Sequence, residues 1–353
     1  MKSQARLGVL SGRERMNRTD LSCGLDRRSL LAGTASFVAA ALVGPAFAQG
    51  APAIRRLEVI IPLSAGGGSD ILVRQLMEHV RPLLSSQIAI SNVPGDGSLL
   101  GLSRVARAKP DEAMIGVHNP PNTVLSQLAR GASAPVDIRT LTPIAGFGRT
   151  FTVVATSTRS GIESFKQLQG AYAGGAQRLL GGTDRAGSSE LTAELLKSQA
   201  ELKFAEYVAY DGSGAGNAAI ARNEVPAGLA SYDAVIDGIA SGTLRPLLVL
   251  GNVERVEGMP DTPTAAELGY PSMAEVAAPI RVIVGPPNME PALRDYLVGL
   301  FRDVVTNPEV VKTLGDAGVK LEYMTPEAVG QSINDAFDKL ENLPVLQQLL
   351  SRK

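Results

Sequence analysis

A short apolar run followed by three consecutive glycines constrains the fold of this chain more than any other feature. The run from Leu57 to Ile61, closed by Pro62, is mostly branched and apolar and predicts a buried β-strand. Gly66–Gly68 follow within a few residues. The apolar residues after them recur at the spacing of one helix face and are Leu72, Leu76, Val80 and Leu83. A strand, a tight turn and a helix are therefore expected in that order.

The glycine turn is a candidate ligand site. Ser69 or Asp70 is predicted to cap the helix. Because glycine has no Cβ, the backbone can turn tightly and offer N–H groups at the positive end of the helix, which suits a carboxylate or a phosphate. The stretch Ala65–Asp70 lacks the spaced glycines of the dinucleotide fingerprint, and no Gly-Lys-Ser/Thr follows, so a nucleotide is disfavoured. A turn that binds no ligand is the alternative.

The first 48 residues have the order of an export signal. A basic region ending in Arg27-Arg28 precedes the apolar segment Leu30–Val43, which is too short to span a bilayer comfortably. An Ala-x-Ala pattern then predicts cleavage after Ala48. The Arg-Arg-x-Leu-Leu sequence resembles a twin-arginine export signal. We therefore expect a signal peptide over residues 1–48 and an exported protein.

Charge and cysteine content exclude several classes of function. The formal net charge of the whole chain is −1, and residues 1–48 have a net charge of +4. The remaining 305 residues therefore have a net charge near −5. Such a surface is not built for nucleic acid. The single cysteine, Cys23, lies in the leader, which excludes a cysteine nucleophile or a Cys-based metal site in the mature chain.

Strand-like and helix-like segments alternate along the mature chain, which predicts α/β lobes with doubly wound, mostly parallel sheets. The predicted strands cover residues 57–61, 87–91, 113–117, 151–156, 177–182, 204–209, 226–230, 246–250 and 280–284. The helical C-terminal region is expected to return to the first half. Lobe 1 then comprises residues 49–155 and 278–353, lobe 2 comprises residues 156–277, and two hinge crossings lie near 155 and 278. A cleft between such lobes can enclose a small molecule.

Polar loops follow the predicted strands, at the edge where such sheets bind ligands. His118 and Asn119 follow the third strand, and Thr183–Ser189, Tyr210–Asn217 and Ser231-Tyr232 follow three later ones. Small polar residues in these loops can cap helices and donate backbone hydrogen bonds. Each loop is therefore a candidate binding segment.

Five stretches together resemble one known family. Pro62–Asp70 resembles the Pro-Phe-x-x-Gly-Gly-x-x-Asp loop of the Bug receptors, the periplasmic solute-binding proteins of tripartite tricarboxylate transporters. Gly182–Leu196 is similar to the family's Gly-Ser-x-Gly-x-Gly-Ser-x-x-His-Leu-x-x-Glu segment. Asn92–Gly97, Tyr210–Gly214 and Met259–Gly269 agree as well, and the order and spacing match from about residue 54 to the end.

The resemblance implies a monomeric, two-lobe Venus-flytrap receptor of the periplasm that captures a carboxylate-bearing metabolite and presents it to permease subunits. It implies no cofactor, metal or catalytic residue. In the first lobe the implied contacts are Ser64, Ala65, Gly66, Gly67, Ser69 and Asp70, with Gly68 in the same loop. In the second lobe they are Thr183, Ser188, Ser189, Tyr210, Gly212 and Ser213.

The chain departs from the family pattern at several positions. Glu190 replaces the family's histidine, Asp211 replaces a basic residue, and Ala277–Val282 replaces an aromatic-rich stretch. Two acids near the site would repel a second carboxylate unless Arg185 or Arg149 compensates. A monocarboxylate, an amino acid or an aromatic acid is therefore expected in preference to a di- or tricarboxylate.

For several single side chains at the strand ends, the sequence leaves two roles open. His118 is a candidate ligand contact, although a structural role is favoured, and with His79 as the other histidine neither a metal centre nor a His-based catalytic site is expected. Arg185 is either the charge partner of a carboxylate or a solvated loop residue. Tyr210 and Tyr232 either close over the ligand or pack in the core.

Two other functions compete with the receptor hypothesis. Gly212–Gly216 contains Ser213, but the register is not G-x-S-x-G and no histidine partner follows, which argues against a hydrolase. A dehydrogenase would need the dinucleotide fingerprint, which is missing here, so this activity is disfavoured as well. A sensor that signals to another exported protein would use the same cleft and stays open as the alternative.

Overall fold

The computed structural model of the protein describes residue 52 and residues 54–351, except 184, 186, 211, 252–253, 257, 271–272, 274–276 and 317–319. The predicted signal peptide, its cleavage point after Ala48 and Cys23 lie outside these residues. None of the helices that the structure describes is both long and apolar enough to cross a membrane.

Ten strands form two sheets in the described part of the chain, and helices cover both faces of each sheet. The strands are β1 (Arg56–Ile61), β2 (Gln87–Asn92), β3 (Met114–His118), β4 (Thr142–Arg149), β5 (Thr152–Ser157), β6 (Leu179–Gly182), β7 (Glu206–Ala209), β8 (Ala227–Ser231), β9 (Leu244–Leu250) and β10 (Ile280–Gly285). The helices are α1 (Gly68–Val80), α2 (Leu99–Ala106), α3 (Asn122–Arg130), α4 (Phe165–Ala173), α5 (Ser188–Gln199), α6 (Gly212–Ala221), α7 (Tyr232–Ala240), α8 (Pro291–Val305), α9 (Pro308–Asp316), α10 (Pro326–Glu341) and α11 (Pro344–Ser351).

The two sheets repeat one arrangement of strands. The first has the order β2-β1-β3-β10-β4, with β10 antiparallel to both of its neighbours. The second has the order β7-β6-β8-β5-β9, with β5 antiparallel to both of its neighbours. Four of the five strands in each sheet therefore run in one direction. The predicted fold, a two-lobe α/β protein with mostly parallel sheets, is confirmed.

The reversed strand in each sheet is the first one after the chain changes sheets. β4 ends at Arg149 in the first sheet and β5 begins at Thr152 in the second, while β9 ends at Leu250 and β10 begins at Ile280. A strand that arrives from the other lobe starts at the edge facing that lobe, where the parallel strands end, so it runs against them. The lobe boundaries at residues 155 and 278 stay predictions.

The inner strands β1, β3 and β10 of the first sheet are largely buried on both faces, which explains why they are mostly apolar, whereas the edge strand β2 is only partly buried. In β1, Leu57, Val59 and Ile61 pack with residues of α1 and α8, whereas Ile60 points to the opposite cluster with α2 and α10. This alternation holds the C-terminal helices α8 and α10 against the first lobe.

Helix α5 joins the apolar cores of the two lobes. Leu191 and Leu195 lie on one face of it and pack in the first-lobe cluster with Phe337 of α10 and Leu346 of α11. Leu196 belongs to the second-lobe cluster instead. The helix therefore contacts both lobes through different faces.

The sequence patterns misplaced the start of α1. Gly67 is the N-cap and the helix begins at Gly68, so Ser69 and Asp70 lie inside the first turn and the predicted cap is wrong. Leu83 was expected on the buried face but lies in a short 3₁₀-helix and is 53% exposed. That prediction is also wrong, because the α-helix ends before residue 83.

Candidate ligand-binding cleft

A cavity of about 360 Å³ is lined by residues of both lobes. Its volume lies in the range of small-molecule sites. Thirteen of the predicted site residues line it, namely Ser64, Gly67, Gly68, Ser69, Asp70, Asn119, Thr183, Arg185, Ser188, Ser189, Gly212, Ser213 and Ser231. The structure therefore brings loops that are more than 100 residues apart to one place.

Four of the helices that the structure describes begin at the wall of this cavity. Their first two residues line it, and these pairs are Gly68-Ser69 in α1, Asn122-Thr123 in α3, Ser188-Ser189 in α5 and Gly212-Ser213 in α6. The first N–H groups of a helix have no partner within the helix, and the helix dipole adds partial positive charge there. Helix ends that converge in this way favour an anion.

The carboxylate of Asp70 holds the glycine loop in place. It accepts hydrogen bonds from Gly66 N at 2.8 Å, Arg74 Nε at 3.0 Å and Asn92 Nδ2 at 2.9 Å. Asn92 Nδ2 also donates to Leu63 O at 3.0 Å. Burial alone would raise the pKa of Asp70, but these hydrogen bonds and the charge of Arg74 lower it below its usual value. Asp70 therefore stays ionised, with its charge directed into its own loop.

The turn itself explains which glycines face the cavity. Gly66 has φ of +77°, a conformation that favours glycine, and its N–H points to Asp70. Gly66 and the adjacent Ala65 do not line the cavity, whereas Gly67 and Gly68 do. The left-handed turn at Ala65-Gly66 thus points away from the cavity, whereas Ser64 before it and Gly67 after it line the cavity.

A second hydrogen-bonded cluster holds the loop after β6. Ser189 Oγ accepts hydrogen bonds from the Tyr207 hydroxyl at 2.8 Å and from Thr183 N at 3.2 Å. A Cβ at Gly182 would overlap both the Tyr207 hydroxyl and Ser189 Oγ, so this position needs glycine. Ser189 lines the cavity while it ties β6 and β7 to the first turn of α5.

Three predicted aromatic side chains lie behind the cavity wall and do not line it, namely His118, Tyr210 and Tyr232. Tyr232 stacks on Phe151 with the ring centroids 4.6 Å apart, and Phe151 is the residue that lines the cavity. The ring of Tyr210 packs against β6, 3.3 Å from the position of a Cβ on Gly181. Tyr232 therefore supports a lining residue, and Tyr210 packs on the strand that leads to the Thr183 loop.

His118 is buried and electrically neutral. Its Nδ1 lies 2.9 Å from Thr123 Oγ1, and burial lowers the pKa of the imidazole to about 3. Thr123 lines the cavity at the start of α3. His118 therefore orients a cavity residue from behind.

Three arginines of the described part of the chain line the cavity, and of these the sequence analysis named Arg185 alone. Its guanidinium is 3.7 Å from Glu190 and donates to Tyr207 O at 3.1 Å. Arg130 pairs with Asp96, and Arg281 lies in β10. Arg281 was missed, although a charged residue inside the apolar run of β10 is a signal that could have marked it, because burial of an arginine needs a specific reason.

Other predicted charges lie elsewhere. Arg149, a proposed compensating cation, pairs with Glu322 at 3.0 Å and does not line the cavity. Asp211 lies outside the described residues. The remaining lining residues that were missed come mainly from the loop after β2, from α3 and from the two crossings, and they include Pro94, Gly95, Gly97, Ser98, Ser126, Thr150, Thr152 and Pro279.

Comparison with known proteins agrees with this architecture. Residues 72–349 match the model of the tripartite tricarboxylate transporter family receptor, TctC. Protein BugT of Bordetella pertussis is 25% identical over 315 residues, which cover 88% of this chain and 94% of BugT. A protein encoded in the gbd 5′ region of Cupriavidus necator is 24% identical over 314 residues, with coverage of 89% and 93%.

Solved structures show the same fold. The periplasmic binding protein BugD has a TM-score of 0.73 at 19% identity, covering 84% of this chain and 97% of BugD. MatC of Rhodopseudomonas palustris with bound malate has a TM-score of 0.73 at 17% identity, covering 84% and 99%. A second R. palustris protein, with adipate, has a TM-score of 0.74 at 19% identity, covering 84% and 97%. Because the family model spans the chain from α1 to α11, this protein belongs to the receptors of the tripartite tricarboxylate transporter family.

Proposed function

We propose that this receptor is exported, captures a small carboxylate-bearing metabolite in the cleft and delivers it to the permease subunits of a tripartite transporter. Family membership supports the receptor role. The observation that carries the ligand class is the convergence of four helix N-termini from both lobes on one cavity. Neighbours of the same fold hold malate and adipate, which are both organic acids.

The charges at the wall support binding of an acid through hydrogen-bond donors. Within the described residues, each arginine that lines the cavity has an acidic partner: Asp96 for Arg130, Glu190 for Arg185 and Asp233 for Arg281. The side chains therefore contribute little net charge, and backbone N–H groups supply much of the attraction. This charge balance allows one carboxylate in the ligand. A second carboxylate would need one of these arginines, which would then interact with both the ligand and its present acidic partner.

The surface of the cavity supports an aliphatic rather than an aromatic acid. Of the described lining residues, Phe151 is the only aromatic one. Most of the wall consists of glycine, serine and threonine. Hydroxyl groups both donate and accept, so they suit hydroxyl or amino substituents on a small acid. We propose a short aliphatic acid with further polar groups as the ligand.

The proposed mechanism is closure of one lobe on the other. The carboxylate docks on the N–H groups at the start of α1, and the loops before α5 and α6 then approach from the second lobe. The ligand stabilises the closed state only by its greater affinity for that state. We propose that the lobes turn about the crossing at residues 150–151 and the crossing between β9 and β10, and that the monomer is the functional unit.

A thermal-shift screen tests this proposal. The purified protein is heated with acetate, malate, adipate, citrate, amino acids and aromatic acids, each over a range of concentrations. A ligand that binds the native state raises the melting temperature with the logarithm of its concentration. We expect a saturable rise with at least one aliphatic acid. No rise with any acid, in a protein shown by mass spectrometry to carry no co-purified ligand, would contradict the proposed ligand class.

Export is tested separately. We propose that residues 1–48 direct the chain to the periplasm and are removed after Ala48. Amino-terminal sequencing of the protein from a periplasmic extract is expected to begin at Gln49. A mature protein that retains Arg27-Arg28 would contradict the proposal.

A further inference from the structure

Arg281 occupies an unusual place for an arginine. It lies near the start of β10, between β3 and β4 in the first sheet, and its side chain is 2% exposed. The other residues of the strand are apolar or glycine and all are buried. A guanidinium is strongly disfavoured in such surroundings unless charge and hydrogen bonds compensate it. This cost calls for a role that an apolar residue could not fill.

Only some of the hydrogen-bond donors of the Arg281 guanidinium are paired within the protein. Nη2 donates to the carboxylate of Asp233, and Nη1 reaches Arg149 O at 3.5 Å. Nε is buried and has no hydrogen-bond partner among the described residues. A guanidinium carries five N–H donors in a planar fork, so part of this fork is available.

Asp233 holds Arg281 without lining the cavity itself. It lies in the first turn of α7 in the second lobe and does not line the cavity, whereas Arg281 does. Thr150 Oγ1 lies 3.3 and 3.4 Å from the two carboxylate oxygens of Asp233. The acid is therefore fixed by its own contacts and orients the arginine.

The start of α1 lies beside this pair. A Cβ placed on Gly68 would be 3.4 Å from Asp233 Cβ and 3.7 Å from Asp233 Oδ2. Arg281 is bonded to that same Oδ2 oxygen, so its guanidinium and the first turn of α1 lie close together on one side of the cavity. The ion pair of Arg281 and Asp233 thus stands next to the partial positive charge of a helix end.

We propose that Arg281 is a ligand-binding residue, and that its guanidinium and the first N–H groups of α1 together bind one carboxylate of the ligand, with Asp233 as the positioning residue. This inference rests on the proposed receptor function and deepens it, because it adds a cation that the glycine loop lacks. A guanidinium fork matches the geometry of a carboxylate. The subsite therefore selects an acid over its neutral amide.

A purely structural ion pair between the lobes makes a different prediction. If Arg281 and Asp233 served only to hold the fold, loss of either partner would weaken all ligands alike. If Arg281 binds the ligand, loss of Arg281 weakens acids, whereas loss of Asp233 leaves the guanidinium with more free donors. The two variants then act in opposite directions on the preference for acids.

The experiment measures binding of acetate, malate and adipate, and of the neutral diamides of malate and adipate, by titration calorimetry. The variants are Arg281→Met, Asp233→Asn and the double variant, which removes both charges and so remains interpretable if Arg281→Met alone fails to fold. Arg149→Met is the matched control, because its side chain pairs with Glu322 and does not line the cavity.

We expect Arg281→Met and the double variant to bind the acids about 10- to 100-fold more weakly, with affinity for the amides unchanged. Asp233→Asn is expected to keep or strengthen acid binding, and Arg149→Met to behave as the wild type. Equal losses for acids and amides, or acid binding unchanged in Arg281→Met, would overturn this inference alone. A wild-type protein that binds none of the three acids would contradict the proposed ligand class as well.

Discussion

Gly66 donates its backbone N–H to the carboxylate of Asp70 across 2.8 Å, within the loop that starts α1. The acid of this loop therefore binds its own backbone, and Gly67, Gly68 and Ser69 are left facing the cavity. A carboxylate at a proposed anion site would repel the ligand if it were free. Here the Asp70 carboxylate accepts hydrogen bonds from three donors, so it holds the shape of the loop that is proposed to bind the ligand.

Asp70→Asn tests this role. The amide cannot satisfy Gly66 N, Arg74 and Asn92 together, so we expect a loss of about 1–3 kcal/mol in the free energy of unfolding and weaker ligand binding. The lowered pKa of Asp70 means that its contribution is present above the unfolded pKa of about 3.9 and is lost as the pH falls through the folded value. Urea unfolding at several pH values measures the difference.

Glu78→Gln is the control on the same helix. Its side chain is 66% exposed and pairs with Arg81 at 3.3 Å, so the free energy of unfolding is expected to change by about 0.5 kcal/mol or less. A loss in Asp70→Asn no larger than in Glu78→Gln would contradict the assigned role of Asp70.

His118 predicts a pH-dependent stability. Its pKa is about 3 in the folded protein, because the ring is buried, and about 6.5 when unfolded. Between these values the unfolded state binds a proton that the native state does not, so stability falls as the pH is lowered from about 6.5. The slope from this group approaches about 1.4 kcal/mol per pH unit. His118→Gln is expected to lack that component in denaturant titrations from pH 7 to 4.5, and an unchanged slope would show that His118 does not titrate this way.

Gly182→Ala is expected to disturb the second-lobe side of the cleft. Its Cβ overlaps the Tyr207 hydroxyl and Ser189 Oγ, which must move apart, so we expect a cost of about 1–3 kcal/mol and weaker ligand binding. Gly214→Ala is the matched control, because no atom lies within 4 Å of its Cβ and it sits in helix α6. That variant should be neutral or up to about 1 kcal/mol more stable. Thermal unfolding and titration with the best acid separate the two, and equal behaviour would argue against the assigned packing.

Leu195→Ala and Leu196→Ala probe the two faces of α5. Both side chains are buried, and each truncation is expected to cost about 2–5 kcal/mol. Leu195 packs in the first-lobe cluster and Leu196 in the second-lobe cluster. Loss of Leu195 should therefore weaken the contact between lobes and lower ligand affinity, with a larger radius of gyration in small-angle scattering. Loss of Leu196 should lower the melting temperature without that change in size, and identical scattering for both variants would contradict the interpretation.

Local patterns were sufficient for the strand-glycine-helix units. The run before Gly66–Gly68 and the polar loops after β6 and β7 are short-range signals, and the structure places most of their residues at one cavity. The large rings of His118, Tyr210 and Tyr232 do not line it. His118 Nδ1 is hydrogen-bonded to Thr123 and both tyrosine rings pack behind the wall, and a sequence pattern does not show such contacts.

β4 shows why other elements escaped prediction. It contains Gly146 and Gly148, which weaken the signal of a strand. A Cβ at Gly146 would come within 2.7 Å of Met324 Cβ, and one at Gly148 within 2.9 Å of Lys320 O. These glycines are needed because a segment about 175 residues further along the chain packs on the strand. The contact of Arg281 with Asp233 is another distant pairing that residue spacing alone cannot reveal.

The most direct test of the central claim is a titration of one acid and its neutral amide into the wild-type protein and into Gly67→Phe. Gly67 lines the cavity and has no positive φ, so a side chain there blocks the loop without straining the backbone. Gly170→Phe, on the exposed face of α4 with no atom within 4 Å of its Cβ, is the control. We predict that the wild type and Gly170→Phe bind the acid at one site per chain and far more tightly than the amide, and that Gly67→Phe, still folded, binds neither. Equal affinity for acid and amide, or an undiminished affinity in Gly67→Phe, would contradict a carboxylate receptor built on this loop.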